Sequence, residues 1–107
     1  MLALQLALKA ADLGHLALPW QQHEDWVARL EEEFFLQGDA EQTQGRAPSF
    51  LCDRGAPGVT QSQEGFFAFV VRPLFGALEA AFPAAKAMAA QVAANGDSWA
   101  ARAAAKD

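Results

Sequence analysis

Residues 11–39, ADLGHLALPWQQHEDWVARLEEEFFLQGD, carry the clearest structural pattern of this sequence. Pro19 suits the first turn of a helix, where its missing N–H has no partner to lose. The side chains that follow share one helical face at spacings of three and four residues: His23, Trp26, Val27, Leu30 and Phe34. This spacing predicts a long amphipathic helix, and Gly38 predicts its end.

The segments before and after this stretch also contain patterns that predict helices. Leu6, Ala10 and Leu13 predict an amphipathic helix over residues 2–13. Residues 39–45 predict a short helix capped by Asp39, and the proline- and glycine-rich segment up to Gly58 predicts a loop.

The C-terminal half predicts further helices. Thr60 and Gln63 fit a capping box at the start of a third long helix, which Pro73 should bend and which should end at Phe82. The alanine-rich residues 84–107 predict a helix, a break at residues 95–98 and a weaker terminal helix. Because no segment alternates with a period of two, the fold class is predicted to be an all-α helical bundle.

Composition narrows the possible functions. The 107 residues are 52% hydrophobic and 20% charged, which is typical of a globular protein. A net charge of −5 disfavours nucleic-acid binding, and the single cysteine, Cys52, excludes an internal disulfide. Neither a membrane span nor a signal peptide is predicted, so we expect a cytoplasmic protein with no membrane or nucleic-acid partner.

Three short motifs carry a family resemblance: Ala-Asp-Leu at residues 11–13, Glu-Glu-Phe-Phe-Leu-Gln-Gly-Asp at residues 32–39, and Ser-Gln-Glu-Gly-Phe at residues 62–66. In this order and at these separations, they resemble the C-terminal part of the class I 3′,5′-cyclic-nucleotide phosphodiesterase catalytic domain. The resemblance extends from Leu6 to Phe82. It implies that residues 1–83 belong to that HD-type domain, and that residues 84–107 form its last helices.

The resemblance implies hydrolysis of cyclic AMP, cyclic GMP or both to 5′-nucleoside monophosphates, by a hydroxide held between two divalent metal ions. Asp12 would ligate the first metal, and the pair would be zinc and magnesium. The family's other metal ligands and its histidine general acid lie upstream, so this chain alone is expected to hold no catalytic residue and to be inactive. The oligomeric state is left open.

The resemblance also implies a pocket for the base of the nucleotide. Gln63 would be the purine-selective glutamine, although the capping box is an alternative role for it. Phe66 would stack on the base. Further pocket positions are Leu30, Phe34, Leu51, His15, His23 and Trp26.

The sequence departs from the family's pattern at three positions that line or flank the pocket. Glu31 stands where an apolar residue is common, Phe50 where a proline is common, and Lys9 where a histidine or other polar residue is common. Three alternatives remain open: a truncated, non-catalytic helical interaction module, an ordinary helical bundle without a ligand, and a local metal site at Asp12, His15 and His23.

Overall fold

The computed structural model describes residues 2–105. Its α-helices are α1 (Leu2–Asp12), α2 (Trp20–Thr43), α3 (Gln63–Phe66), α4 (Arg72–Ala81) and α5 (Lys86–Ala105). Turns of 3-10 helix span Gly14–Ala17, Thr60–Ser62 and Pro83–Ala85, and a π-helix at Phe67–Val71 joins α3 to α4. These described residues contain no strand, so the predicted all-α fold class is confirmed.

Helix α2 continues past Gly38, where it was predicted to end, and absorbs most of the predicted short helix. A Cβ atom at Gly38 would lie 1.8 Å from the carbonyl oxygen of Cys52, so this glycine permits a close approach of the following loop. The helix actually ends near Gly45, whose φ of +77° is typical of a helix-terminating glycine.

Near Pro73, where a bend was predicted, the helix instead contains a π-helical turn. Proline cannot donate the next backbone hydrogen bond of an α-helix. The turn before it widens into the π-helix, in which Arg72 N–H donates to Phe67 O five residues earlier. The helical run then continues through α4 and ends at Phe82, as predicted.

Helix α5 is continuous, and the predicted break at residues 95–98 is wrong. Asn95 is only 1% exposed, and its Nδ2 donates to Leu16 O and Leu18 O, each at 2.9 Å. At Gly96 an added Cβ would lie 2.9 Å from Phe67 Cδ1, so glycine lets the π-helix pack closely. Tertiary contacts therefore override the tendency of Asn-Gly to form a turn.

One core joins these helices. Helix α1 packs on α4, while α5 packs on α3, α4 and the turn after α1. The buried apolar side chains are Ala10, Leu16, Val27, Val59, Phe67, Val71, Phe75, Leu78, Val92 and Trp99. No helix within residues 2–105 is long and apolar enough to cross a membrane.

The long connection between α2 and α3 is fastened to α2 by its charged side chains. Ser49 N–H donates to the Glu41 carboxylate at 2.8 Å. Further along, Arg54 forms ion pairs with Glu32 at 3.0 Å and Asp39 at 2.8 Å. These contacts bring the middle of the connection against the C-terminal half of α2, where it forms one wall of a cavity.

Candidate functional site

A cavity of about 320 Å³ lies between α2, the long connection and the start of α3. Leu30 and Phe34, four residues apart on α2, form one wall. The remaining lining comes from the connection and the third helical run: Phe50, Leu51, Val59, Ser62, Gln63 and Phe66. The cavity is therefore mostly apolar and of the size of a small-molecule site.

Gln63 is the polar side chain that distinguishes this cavity. It is 4% exposed, and its Nε2 donates to Val59 O at 3.2 Å. Its Oε1 has no hydrogen-bond partner, which costs about 1–3 kcal/mol for a buried polar atom. No side-chain cap forms at Thr60–Ser62 or at α3, so the capping-box alternative is wrong. The carbonyl oxygen of this amide is therefore a buried acceptor without a donor.

Glu31 fastens the start of the third helical run to α2. Its carboxylate accepts a hydrogen bond from Thr60 N–H at 2.8 Å. The adjacent Gly58 approaches α2 so closely that a Cβ there would lie 2.7 Å from Phe35 Cζ. The Glu31 carboxylate thus anchors Thr60, three residues before Gln63.

His23 lies in the core, and it is absent from the cavity lining. It is fully buried, and its Nε2 accepts a hydrogen bond from Trp99 Nε1 at 2.8 Å. Nδ1 therefore carries the proton of the neutral ring, and it lies 3.1 Å from His15 O. Burial first, and the nearby His15 second, lower the pKa of His23 to about 4. Burial also lowers the pKa of His15, whose ring stacks on His23.

Mild acid should destabilise the fold through His23. The pKa of His23 is about 4 in the folded chain against 6.5 for the free side chain, so the unfolded chain binds more protons between these values. The free energy of unfolding should fall as the pH drops from 6.5 towards 5, by at most about 1.4 kcal/mol per pH unit for this group. Urea unfolding across this range measures the slope.

His23→Asn is the informative variant for this test, because asparagine does not titrate and its amide oxygen can still accept from Trp99. It should have a clearly shallower pH dependence than the unaltered protein. An equal slope in both proteins would mean that His23 is not the titrating group. The charged groups near the cluster, Glu24 and Arg102, form an ion pair with each other.

Trp26 and Asp12 also lie apart from the cavity. Trp26 is 50% exposed, with the Arg29 guanidinium 5.4 Å from the centre of its ring. Asp12 is the exposed last residue of α1. Within residues 2–105, no group of three or more His, Cys, Asp or Glu side chains could hold a metal ion. The proposed local site at Asp12, His15 and His23 is therefore wrong, and these residues alone do not fit a metal.

Comparison with known proteins identifies the family of this chain. Residues 1–92 match the family model of the 3′5′-cyclic nucleotide phosphodiesterases. The chain belongs to this family. The predicted resemblance is confirmed.

The similar relatives include dual specificity calcium/calmodulin-dependent 3′,5′-cyclic nucleotide phosphodiesterase 1B of Bos taurus, 49% identical over 76 residues. That alignment covers 71% of this chain and 14% of the relative. The 1C protein of Homo sapiens has the same identity over 76 residues, with 71% of this chain and 11% of that protein covered. The matched region is thus a small part of these phosphodiesterases.

The structure brings together five of the predicted pocket residues: Gln63, Phe66, Leu30, Phe34 and Leu51. His15, His23 and Trp26 do not line this cavity. Two lining residues, Val59 and Ser62, were not predicted, whereas Phe50 was among the positions expected to line or flank the pocket. Ser62 was visible within the phosphodiesterase-like motif, and Phe50 as a departure from it. Val59 carried no such indication.

Proposed function

We propose that this chain forms the base-binding side of a catalytic domain that hydrolyses 3′,5′-cyclic nucleotides to 5′-nucleoside monophosphates. One observation carries the proposal: the buried Oε1 of Gln63 has no partner in a cavity with mainly apolar walls. The edge of a purine supplies N–H donors for this oxygen, and the Phe66 ring supplies a surface for stacking. Membership of the phosphodiesterase family supports this assignment.

The other predicted residues divide into two groups. Leu30, Phe34 and Leu51 would exclude water from the bound base, since they line the cavity beside Gln63. His15, His23 and Trp26 would act indirectly. His23, for example, ties α2 to α5 through Trp99 and so holds the helix that carries two of the cavity walls.

Both cyclic AMP and cyclic GMP remain substrates in this proposal. The Nε2 of Gln63 is engaged by Val59 O, so the acceptor end of the amide serves the ligand. Adenine and guanine each have an N–H donor on the edge that such an acceptor would meet. The relatives are named dual specificity phosphodiesterases, which supports a site that accepts more than one cyclic nucleotide.

The metal chemistry would need residues outside these 107. Two divalent ions, zinc and magnesium, would activate the attacking hydroxide and neutralise charge on the phosphate. Asp12 can offer one exposed carboxylate, but the described residues contain no ligand cluster around it. We therefore propose Asp12 as a single ligand of a shared site and assign no catalytic step to this chain alone.

We also propose that the alanine-rich tail belongs to the same domain and that the protein acts in the cytoplasm. Val92 and Trp99 of α5 lie in the same core as residues of α1, the π-helix and α4, which supports a single folding unit.

Replacing Gln63 with leucine tests the proposal. Leucine removes the acceptor but keeps the cavity apolar, so the KM for cyclic AMP and cyclic GMP should rise about tenfold or more, with kcat changed less. Stability should change little, because Val59 O keeps hydrogen bonds from Ser62 N and Ser62 Oγ. Steady-state kinetics on the full polypeptide in which this chain occurs measure the effect.

Gln61→Leu is the matched control, because Gln61 is exposed in the 3-10 turn just before α3, two residues ahead of Gln63. It should leave both constants within about twofold of the unaltered protein. Unchanged KM values in Gln63→Leu would refute the assignment of Gln63 to base binding.

A non-catalytic helical interaction module is the second candidate, and exposed leucines on α1 favour it. Leu2, Leu4 and Leu8 are each more than 70% exposed, which is unusual for three apolar side chains on one short helix. In the phosphodiesterase proposal, the rest of the catalytic domain would cover them. Sequencing the full transcript across the region that encodes Met1 distinguishes the phosphodiesterase from the interaction module. Only the enzyme requires an upstream reading frame that encodes the histidine-containing metal motifs.

A further inference from the structure

The sequence around Ser49 has the pattern of a substrate for arginine-directed protein kinases. In Arg46-Ala-Pro-Ser49 a guanidinium stands three residues before the hydroxyl, and kinases of this class bind that guanidinium through carboxylates. The other serine and threonine residues have no arginine or lysine at this spacing: Thr43, Thr60, Ser62 and Ser98. Ser49 is therefore the position in this sequence that fits such a kinase.

The structure presents this segment in the form that a kinase requires. Arg46 and Ser49 are exposed, and residues 46–49 belong to no helix or turn. Pro48 has a fixed φ and restricts Ala47 to extended conformations. The four residues can therefore enter a peptide-binding cleft without the unfolding of a helix.

The Ser49 hydroxyl also fastens the connection to α2. It donates to Glu41 Oε2 at 2.5 Å, and Ser49 N–H donates to Glu41 Oε1 at 2.8 Å. Glu41 is only 7% exposed, so Ser49 supplies two donors to a buried carboxylate. These bonds, that of the hydroxyl first, lower the pKa of Glu41, which therefore carries its negative charge at neutral pH.

We propose that Ser49 is a phosphorylation site and that its phosphate releases residues 49–52 from α2. The Ser49 hydroxyl oxygen attacks the γ-phosphorus of ATP held by the kinase, and the bond from that phosphorus to the β-phosphate oxygen breaks. ADP leaves, and the hydroxyl proton passes to a base of the kinase. The phosphoserine carries a charge of about −1.5 to −2 and no longer has the donor that Glu41 accepts.

The surroundings of Ser49 oppose this added charge. The buried Glu41 carboxylate would repel the phosphate, and burial reduces the screening between the two charges. Of the nearby cations, Arg54 is already paired with two carboxylates of α2, and Arg46 is exposed, where an ion pair contributes little. Leu51 in the same turn has a φ of +66°, a conformation that persists only where contacts enforce it. Loss of the Ser49 contact removes one of them.

Release of the turn would also alter the cavity, since Phe50 and Leu51 line it. This consequence rests on the proposed function. Phosphorylation should weaken the binding of adenosine 5′-monophosphate about tenfold, a typical coupling between two sites.

Phosphorylation of the full polypeptide in which this chain occurs tests the site. The reagent is a recombinant kinase that selects arginine three residues before serine, with Mg²⁺ and ATP, and tandem mass spectrometry maps the modified residues. Phosphate should appear on Ser49, and Arg46→Gln should slow its appearance about tenfold or more, because the guanidinium is lost. No phosphate on Ser49, or an equal rate in Arg46→Gln, would overturn the assignment.

Amide hydrogen exchange tests the release without reference to a nucleotide. The N–H groups of Ser49 and Cys52 are hydrogen-bonded in the unmodified turn, so phosphorylation should speed their exchange about tenfold or more. In Glu41→Gln the phosphate would meet an amide that can donate, so the acceleration should be less than about twofold. Equal acceleration in both proteins, or none in either, would overturn the release.

Nucleotide binding by the same samples separates this inference from the proposed function. If the turn is released and affinity stays within twofold, the effect on the cavity is wrong. If the unmodified protein shows no saturable binding, the proposed function fails, while faster exchange after phosphorylation still supports the release at Ser49.

Discussion

Replacing Gly38 with alanine is expected to lower the free energy of unfolding by about 3 kcal/mol or more. The new Cβ would lie 1.8 Å from Cys52 O and 2.7 Å from Cys52 C, both backbone atoms that cannot rotate away. Relief requires the connection to move off α2, which would also displace the cavity wall at Leu51. Higher helix propensity returns only about 0.5–1 kcal/mol. Urea unfolding of the purified protein measures the difference.

Gly65→Ala is the control for this prediction, because it makes the same chemical change within α3. Nothing lies within 4 Å of the Cβ position at Gly65, so only helix propensity changes. This variant should be as stable as the unaltered protein or more stable by up to about 1 kcal/mol. If Gly38→Ala were equally stable, the close approach of the connection to α2 would be wrong.

Replacing Asn95 with alanine should cost about 2–4 kcal/mol of unfolding free energy. The side-chain amide holds Leu16 O and Leu18 O in the turn between α1 and α2, and both acceptors would lose this donor. Alanine has the higher helix propensity, so propensity alone predicts the opposite sign. Thermal or urea unfolding therefore distinguishes a tertiary anchor from an ordinary helical residue.

Asp97→Ala serves as the comparison for Asn95→Ala. Asp97 lies two residues further along α5, where its side chain is 77% exposed and pairs with Arg72 at 2.9 Å. Exposed ion pairs contribute about 0–1 kcal/mol, so this variant should lose little stability. A loss at Asn95 no larger than the loss at Asp97 would mean that the contact with the α1–α2 turn is energetically unimportant.

The elements predicted correctly are those whose ends depend on local chemistry. Helix α1 and the start of α2 follow from apolar spacing and from Pro19, which acts within its own turn. Gly38 and Gly96 misled the prediction because glycine has two uses, to end a helix and to admit another segment. Which use applies depends on whether the connection or the π-helix packs against the glycine. Both segments are distant in sequence from the glycine they contact, so local sequence does not reveal it.

The part of the candidate site that could be predicted is the part that the family motifs identify. Gln63, Phe66, Leu30, Phe34 and Leu51 came from the family pattern, and the fold brings them to one cavity. The alternative capping role of Gln63 could be dismissed only from the observed hydrogen bonds.

His23 was assigned to the pocket by the family resemblance, and it also shares a helical face with Leu30. Seven residues of helix, however, separate two side chains by roughly 10 Å along the axis. His23 therefore meets Trp99 of α5, while Leu30 meets the cavity. A shared face on a 24-residue helix does not mean a shared environment.

A structure of the full polypeptide with bound adenosine 5′-monophosphate would show directly whether this cavity binds the base. We expect the base inside the cavity, with a base nitrogen about 3 Å from Gln63 Oε1 and the ring against Phe66. A nucleotide bound elsewhere, with Oε1 of Gln63 still lacking a partner, would contradict the assignment of this cavity to the base.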